Sequence, residues 1–143
     1  MNAYVEEWLQ ALESGEYQQT RGMLTAVDSS DSLSHCCLGL VCHLNKSDLF
    51  VKPIGSISGL QYDDIRTYLP EAIRTKLGFR HASGEFFVDA TTKTLLLSIK
   101  PSISVDEGEK VSLITLNDNL EFTFKEIAQV IRSKPPGLFV EQE

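Results

Sequence analysis

The densest gathering of reactive side chains in the sequence is His35, Cys36, Cys37, Cys42 and His43. Two chemistries suit such a set. A zinc site would draw on paired thiolates and imidazoles, yet no C-x2-C pair occurs here and no second pair lies elsewhere. On a helix, neighbours such as Cys36 and Cys37 also point about 100° apart, so both cannot face one metal without unwinding. A cysteine nucleophile needs a base and an electropositive setting. Cys36 near a helix N-terminus meets half of that condition, with His35 or His81 as the base, but no motif fixes the geometry. The interspersed Leu38, Leu40 and Val41 favour the other reading, reduced cysteines packed as small apolar residues.

The remaining reactive pairs point to local structure. Asp63-Asp64 and Asp28 with Asp31 read as turn and cap residues, not as an acid/base pair. Asn117-Asp118-Asn119 lacks the rest of a calcium-loop spacing and reads as a helix-ending turn. Neither G-x-x-x-x-G-K-[ST] nor G-x-G-x-x-G is present. No catalytic residue, metal set or cofactor is therefore assigned.

Tyr17, Gln18 and Arg21 form the candidate ligand-binding set, accompanied by Gln19 between two apolar helical segments. Arginine clamps phosphate or carboxylate with two parallel N–H groups, and tyrosine offers a ring face. If the preceding helix continues, Tyr17 lies one turn before Arg21 and the two share a face. The competing reading is an arginine that pairs with a local acid.

The elements that must position these residues follow from periodicity. Residues 2–14 repeat Val5, Trp8, Leu9 and Leu12 at helical spacing, with Asn2 as cap and Gly15 as stop. Residues 16–26 are less periodic, and 28–34 read as a polar loop. Cys37, Leu40, Val41 and Leu44 predict a second helix over 35–44 with Ser34 as its cap, and Gly39 inside it marks a close approach of another backbone. Residues 50–60 look irregular, 63–68 suggest a helical turn, and Leu69-Pro70-Glu71 opens a helix that Gly78 ends. Strand-like runs at 85–89 and 94–99 predict a hairpin across Ala90-Thr91-Thr92-Lys93, followed by a polar, mobile loop over 101–110. Residues 111–117 read as a short helix or strand. The clearest local code is Thr123-x-x-Glu126, a capping box with Phe122 and Ile127 as its hydrophobic staple. It starts a helix that buries Phe124, Ile127, Ala128 and Ile131 and stops before Pro135-Pro136.

Composition bounds the class. The 143 residues, 42% hydrophobic and 23% charged, suit one globular domain. Thirteen Lys+Arg against 20 Asp+Glu give a formal charge of −7, a poor supply of cations for DNA or RNA phosphates. The acids are interleaved with bases, as at Glu107, Glu109 and Lys110, so a solubilising surface is a better reading than a DNA mimic. Three clustered cysteines do not make a secreted disulfide framework, and Glu6 and Glu7 fall where a signal peptide needs an apolar core. No apolar run approaches the ~20 residues of a membrane helix. The expected location is the cytoplasm.

Three blocks together carry a resemblance. They are Trp8-Leu9-x-Ala11-Leu12-x-Ser14-Gly15-Glu16-Tyr17-x-Gln19-x-x-Gly22-x-Leu24, then Cys36-Cys37-Leu38-Gly39-Leu40-Val41-Cys42, then Leu116-Asn117-Asp118 leading into Phe122-Thr123-Phe124-x-Glu126-Ile127-Ala128. This pattern resembles a family of small uncharacterised proteins found mostly in bacteriophages and prophages. The likeness covers the two ends of the chain, and residues 82–110 read as an insertion relative to shorter members. It implies a viral accessory protein of the host cytoplasm, with no activity or site residues to carry over.

The combined expectation is an α+β, helix-dominated single domain spanning 1–143. About five helices would pack around Trp8, Leu12, Cys37, Leu40, Leu44, Ile127 and Ile131, with one small β-hairpin. The expected function is a non-enzymatic phage-encoded protein that binds and inhibits or sequesters a host factor, as an antagonist of antiviral defence. Its partner would be a host protein or an anionic small molecule such as a nucleotide signal, with self-association left open. The alternatives are a small enzyme of nucleotide or thiol chemistry and a virion or assembly component.

Overall fold

The computed structural model describes residues 2–55 and 58–141, which form a single α+β domain dominated by helices. Helix α1 (Ala3–Ser14) begins where the Asn2 side chain accepts from the Val5 amide at 3.0 Å and ends at Gly15 with φ 77°. Its stripe of Val5, Trp8, Leu9 and Leu12 is fully buried, and the Trp8 indole donates to the Cys37 carbonyl at 2.9 Å. The last helix, α6 (Phe124–Arg132), carries the complete capping box, and both staple residues, Phe122 and Ile127, are inaccessible to solvent. Helices α1 and α6 pack on each other, and outside that contact Arg132 forks onto Glu6 and Glu13.

Between them in the chain comes a four-stranded antiparallel sheet in the order β2-β1-β4-β3, built from β1 (Thr25–Val27), β2 (Leu33–His35), β3 (Val51–Pro53) and β4 (Gly59–Tyr62). The polar stretch 28–32 is the β1–β2 turn, where the Asp28 carboxylate accepts from both the amide and hydroxyl of Ser30 and from the Ser32 amide, each at 2.9 Å. Helix α2 (Cys37–Leu44) follows at once and leans on this sheet. A Cβ added to Gly39 would lie 1.6 Å from the Leu24 carbonyl oxygen, so only glycine admits this approach.

Several expectations change. Ser34 belongs to β2 and does not cap α2; the cap is Cys36, whose Sγ accepts from the Gly39 amide at 3.2 Å. Residues 63–68 form no helix, because Asp63 and Asp64 hold φ of 51° and 66°, outside the right-handed region. The irregular stretch 50–60 contributes β3 and the start of β4, while its residues 56 and 57 lie outside the described set. Helix α3 (Glu71–Leu77) starts after Pro70 and stops at Gly78 as expected from the sequence.

The largest correction concerns the hairpin. Residues 94–99 are not a strand but the body of α4 (Ala90–Ile99), which starts where the Asp89 side chain accepts from the Thr92 amide at 2.8 Å. Strand β5 (Glu85–Phe87) pairs instead with β6 (Lys110–Ser112), with Phe86 opposite Val111. Helix α5 (Leu113–Asp118) follows directly. The residues between α4 and β6 are tied to this ribbon through Gly108, whose amide donates to the Val88 carbonyl at 2.7 Å. Phe86, Val88, Leu96 and Val105 join the same core as Trp8 and Ile131, so segment 82–110 is part of the domain's interior. Of the expected core set, Leu44 is only partly buried; the others are fully enclosed. Among the described residues no helix is long and apolar enough to cross a membrane.

Candidate functional site

The cysteine-histidine cluster is held inside the domain. Cys36, Cys37 and Cys42 are free thiols and all three are buried. Burial pushes the Cys36 thiol up to about 12 and holds Cys37 and Cys42 well above the ordinary thiol value. A thiol so disposed stays protonated and is a poor nucleophile or metal ligand. His35 Nδ1 lies 2.8 Å from the Thr25 hydroxyl, which lies 2.9 Å from the Tyr62 hydroxyl. Burial, and then the nearby His43 and Lys46, lower its pKa to about 4, so the imidazole is neutral. His35 also stacks on His43 with ring centroids 4.7 Å apart. Among the described residues no three His, Cys, Asp or Glu side chains converge on a metal position.

The three sequence-selected residues part company. Helix α1 ends at Ser14, and residues 16–24 run irregularly over α2 and α5. Tyr17 and Arg21 therefore do not share a helical face. The Tyr17 ring meets the edges of His35 and His43 at 6.3 and 6.0 Å. Gln18 serves through its carbonyl, which accepts from the His35 amide at 2.8 Å, and this contact extends the β2 edge. Arg21 reaches α5, donating from Nε to the Asn117 carbonyl at 3.1 Å.

Asn117 ties three of these segments together. Its side chain is fully buried; Oδ1 accepts from the Gln19 side chain at 2.8 Å and from the Cys37 amide at 3.1 Å. Its Nδ2 donates to the Thr20 carbonyl and to Asp118 Oδ1, both at 2.8 Å. One amide thus joins segment 16–24, the start of α2 and the end of α5. A buried amide with every hydrogen bond made is costly to replace, because each orphaned partner carries its own desolvation penalty.

Beside this hub opens a cleft of about 570 Å³ lined by Gly22, Thr67, Tyr68, His81, Ala82, Ser83, Ile114 and Asp118. Its volume lies in the range of about 300–1,000 Å³ typical of small-molecule sites. Four chain segments meet there, and hydrogen bonds join them in a ring. The Leu24 amide donates to the Arg66 carbonyl at 2.7 Å, the Leu69 amide to Ala82 at 2.9 Å, the Leu113 amide to Gly84 at 3.0 Å, and Asn117 closes the circuit through Thr20. Ile114 and Asp118 are one turn apart and share a face of α5. Gly22 adopts φ 88°, a left-handed turn that lets the chain bend along the rim.

Lys52, Arg74, Lys76, Lys93 and Arg132 each face a carboxylate. Arg21 and Arg66 stand next in sequence to the lining residues Gly22 and Thr67, and neither forms an ion pair with a carboxylate among the described residues. The Leu24–Arg66 hydrogen bond brings their segments together on one wall. His81 sits 3.7 Å from Glu85 and makes no hydrogen bond to Ser83 or Asp118 among the described residues, so no nucleophile–base pair is assembled.

Of the eight lining residues, sequence reasoning gave a chemical or turn role only to His81, as a base for Cys36, and Asp118, while Gly22 entered as part of the resemblance and Ile114 as part of a short element. None was expected to line a common site. The one available signal was the concentration of Gly22, Arg66, Thr67, Tyr68 and His81-Ala82-Ser83 in stretches without periodicity, where loops carry function.

Residues 1–135 match a family model described as Domain of unknown function (DUF8296). The match runs through residues 82–110 as well as the two ends. No curated protein and no solved structure matches the chain.

Proposed function

The chain belongs to the DUF8296 family, and we propose that it is a non-enzymatic binding protein whose cleft captures a small anionic ligand. The observation that carries this reading is the cleft itself, flanked in sequence at Gly22 and Thr67 by Arg21 and Arg66, neither of which pairs with a carboxylate among the described residues of a protein with net charge −7. In so acidic a chain, two such cations near a concave site would offset the field where an anion docks. The inert thiols and the neutral, internally bonded His35 support binding over thiol or acid–base chemistry. The likeness to bacteriophage proteins supports the wider role: a phage-encoded accessory protein of the host cytoplasm that sequesters a host signal, as antagonists of antiviral defence do.

Titration calorimetry with nucleoside phosphates, comparing the parent with Arg21→Ala and Arg66→Ala, tests the reading. Losing one charged hydrogen bond costs roughly 1.5–3 kcal/mol, or about ten- to a hundredfold in affinity. Weakened binding at an unchanged melting temperature supports the cleft. Equal affinity in both variants discards it.

A further inference from the structure

Resting on that reading, we infer that the ligand's base is guanine and that Asp118 recognises it. Asp118 is the only carboxylate among the lining residues, and it forms no ion pair among the described residues. Its Oδ1 is held by the Asn117 amide at 2.8 Å, while Oδ2 takes no hydrogen bond among the described residues. A carboxylate accepts and never donates, so a ligand that enters this cleft meets Asp118 with N–H or O–H donors. A fully ionised phosphate carries none. Among nucleobases, guanine presents two adjacent donors, N1–H and the N2 amino group, which match the two oxygens of a carboxylate. Adenine and cytosine place a ring acceptor beside their single amino group, and that acceptor would face the carboxylate. Uracil flanks its one N–H with carbonyls.

The rest of the cleft suits the same molecule. Tyr68 is 47% exposed and His81 is also exposed, so both rings can offer a face to a base, a contact indifferent to base identity. Arg21 and Arg66 adjoin the lining residues Gly22 and Thr67 in sequence, the end of the cleft to which we assign the phosphate. Discrimination therefore resides in Asp118, and affinity for the phosphate in the arginines.

The experiment is titration calorimetry of the full chain with guanosine, inosine and adenosine monophosphates and with inorganic phosphate. Guanosine monophosphate should bind about ten- to a hundredfold tighter than adenosine monophosphate, the discrimination expected of one bidentate contact. Inosine monophosphate, which lacks the N2 amino group, should fall between them. Asp118→Asn should erase this order while Arg21→Ala weakens all the nucleotides alike. Equal affinities for the three nucleotides overturn the guanine assignment and leave the anion-binding cleft standing. Failure of every nucleotide to bind removes both. Should Asp118→Asn fail to fold, the three-nucleotide series on the parent protein decides alone.

Discussion

Replacing Gly39 with alanine isolates the contact on which the cleft wall depends. In an ordinary helix interior the substitution would stabilise by about 1 kcal/mol, since glycine is the poorer helix former. Here the added Cβ would sit 1.6 Å from the Leu24 carbonyl oxygen and 2.4 Å from its carbon, and no side-chain rotation relieves a clash with backbone. Overpacking costs roughly 1–3 kcal/mol, and a backbone contact this short belongs at the top of that range. Moving the Leu24 carbonyl also breaks its hydrogen bond from the Cys36 amide, 3.0 Å long and worth about 1 kcal/mol. The propensity gain cancels that loss, leaving a net destabilisation of about 3 kcal/mol. For 143 residues this lowers the melting temperature by about 10 °C. Urea denaturation followed by the fluorescence of Trp8, the one tryptophan and fully buried, measures it. Gly78→Ala is the reference: it has φ 73° but nothing within 4 Å of the new Cβ, so only the left-handed backbone is penalised, by about 1 kcal/mol. A Gly39→Ala protein as stable as the parent, or more stable than Gly78→Ala, would refute the close approach of α2 to Leu24.

Three further outcomes are expected. Thr123→Ala removes the hydroxyl that accepts from the Glu126 amide at 3.2 Å and should lower stability by about 0.5–2 kcal/mol; an unchanged denaturation midpoint and slope would show that the cap contributes nothing. The three cysteines should resist an aromatic disulfide reagent at pH 8 and react completely in urea, so rapid native labelling of all three would contradict their burial. Stability should also depend on His35, whose surroundings are His43, Tyr17, Thr25, Tyr62 and the charge of Lys46. Its folded pKa of about 4 lies below the ordinary 6.5, so the unfolded chain takes up the proton first. The stability is present in full above about pH 6.5 and is lost as pH falls towards 4, by at most about 3 kcal/mol. Thermal melts between pH 7.5 and 5 should show that slope in the parent and lose it in His35→Asn; a slope kept by the variant would place its origin elsewhere.

The amino-acid sequence alone determined the two terminal helices, because their signals act within a few residues. Asn2, Gly15 and the Thr123–Glu126 box satisfy or end backbone hydrogen bonds locally, and the stripes of Trp8 and Ile131 repeat with the helix itself. Gly39 announced a close approach but could not name Leu24 as the neighbour. Only the tertiary structure decided between helix and strand at 94–99, where Leu95, Leu96 and Leu97 fit either. The Asp89 cap and the pairing of β5 with β6 settle it, and that strand partner lies beyond α4 and the loop that follows it. The cleft was hidden for the same reason. Its walls come from residues 22, 67–68, 81–83 and 114–118, joined by backbone hydrogen bonds and by Asn117 reaching back to Thr20. Such bonds leave no periodic trace, since any residue supplies an amide and a carbonyl. Arg21 could be singled out from its type alone; its hydrogen bond to the Asn117 carbonyl on α5 exists only once the chain has folded.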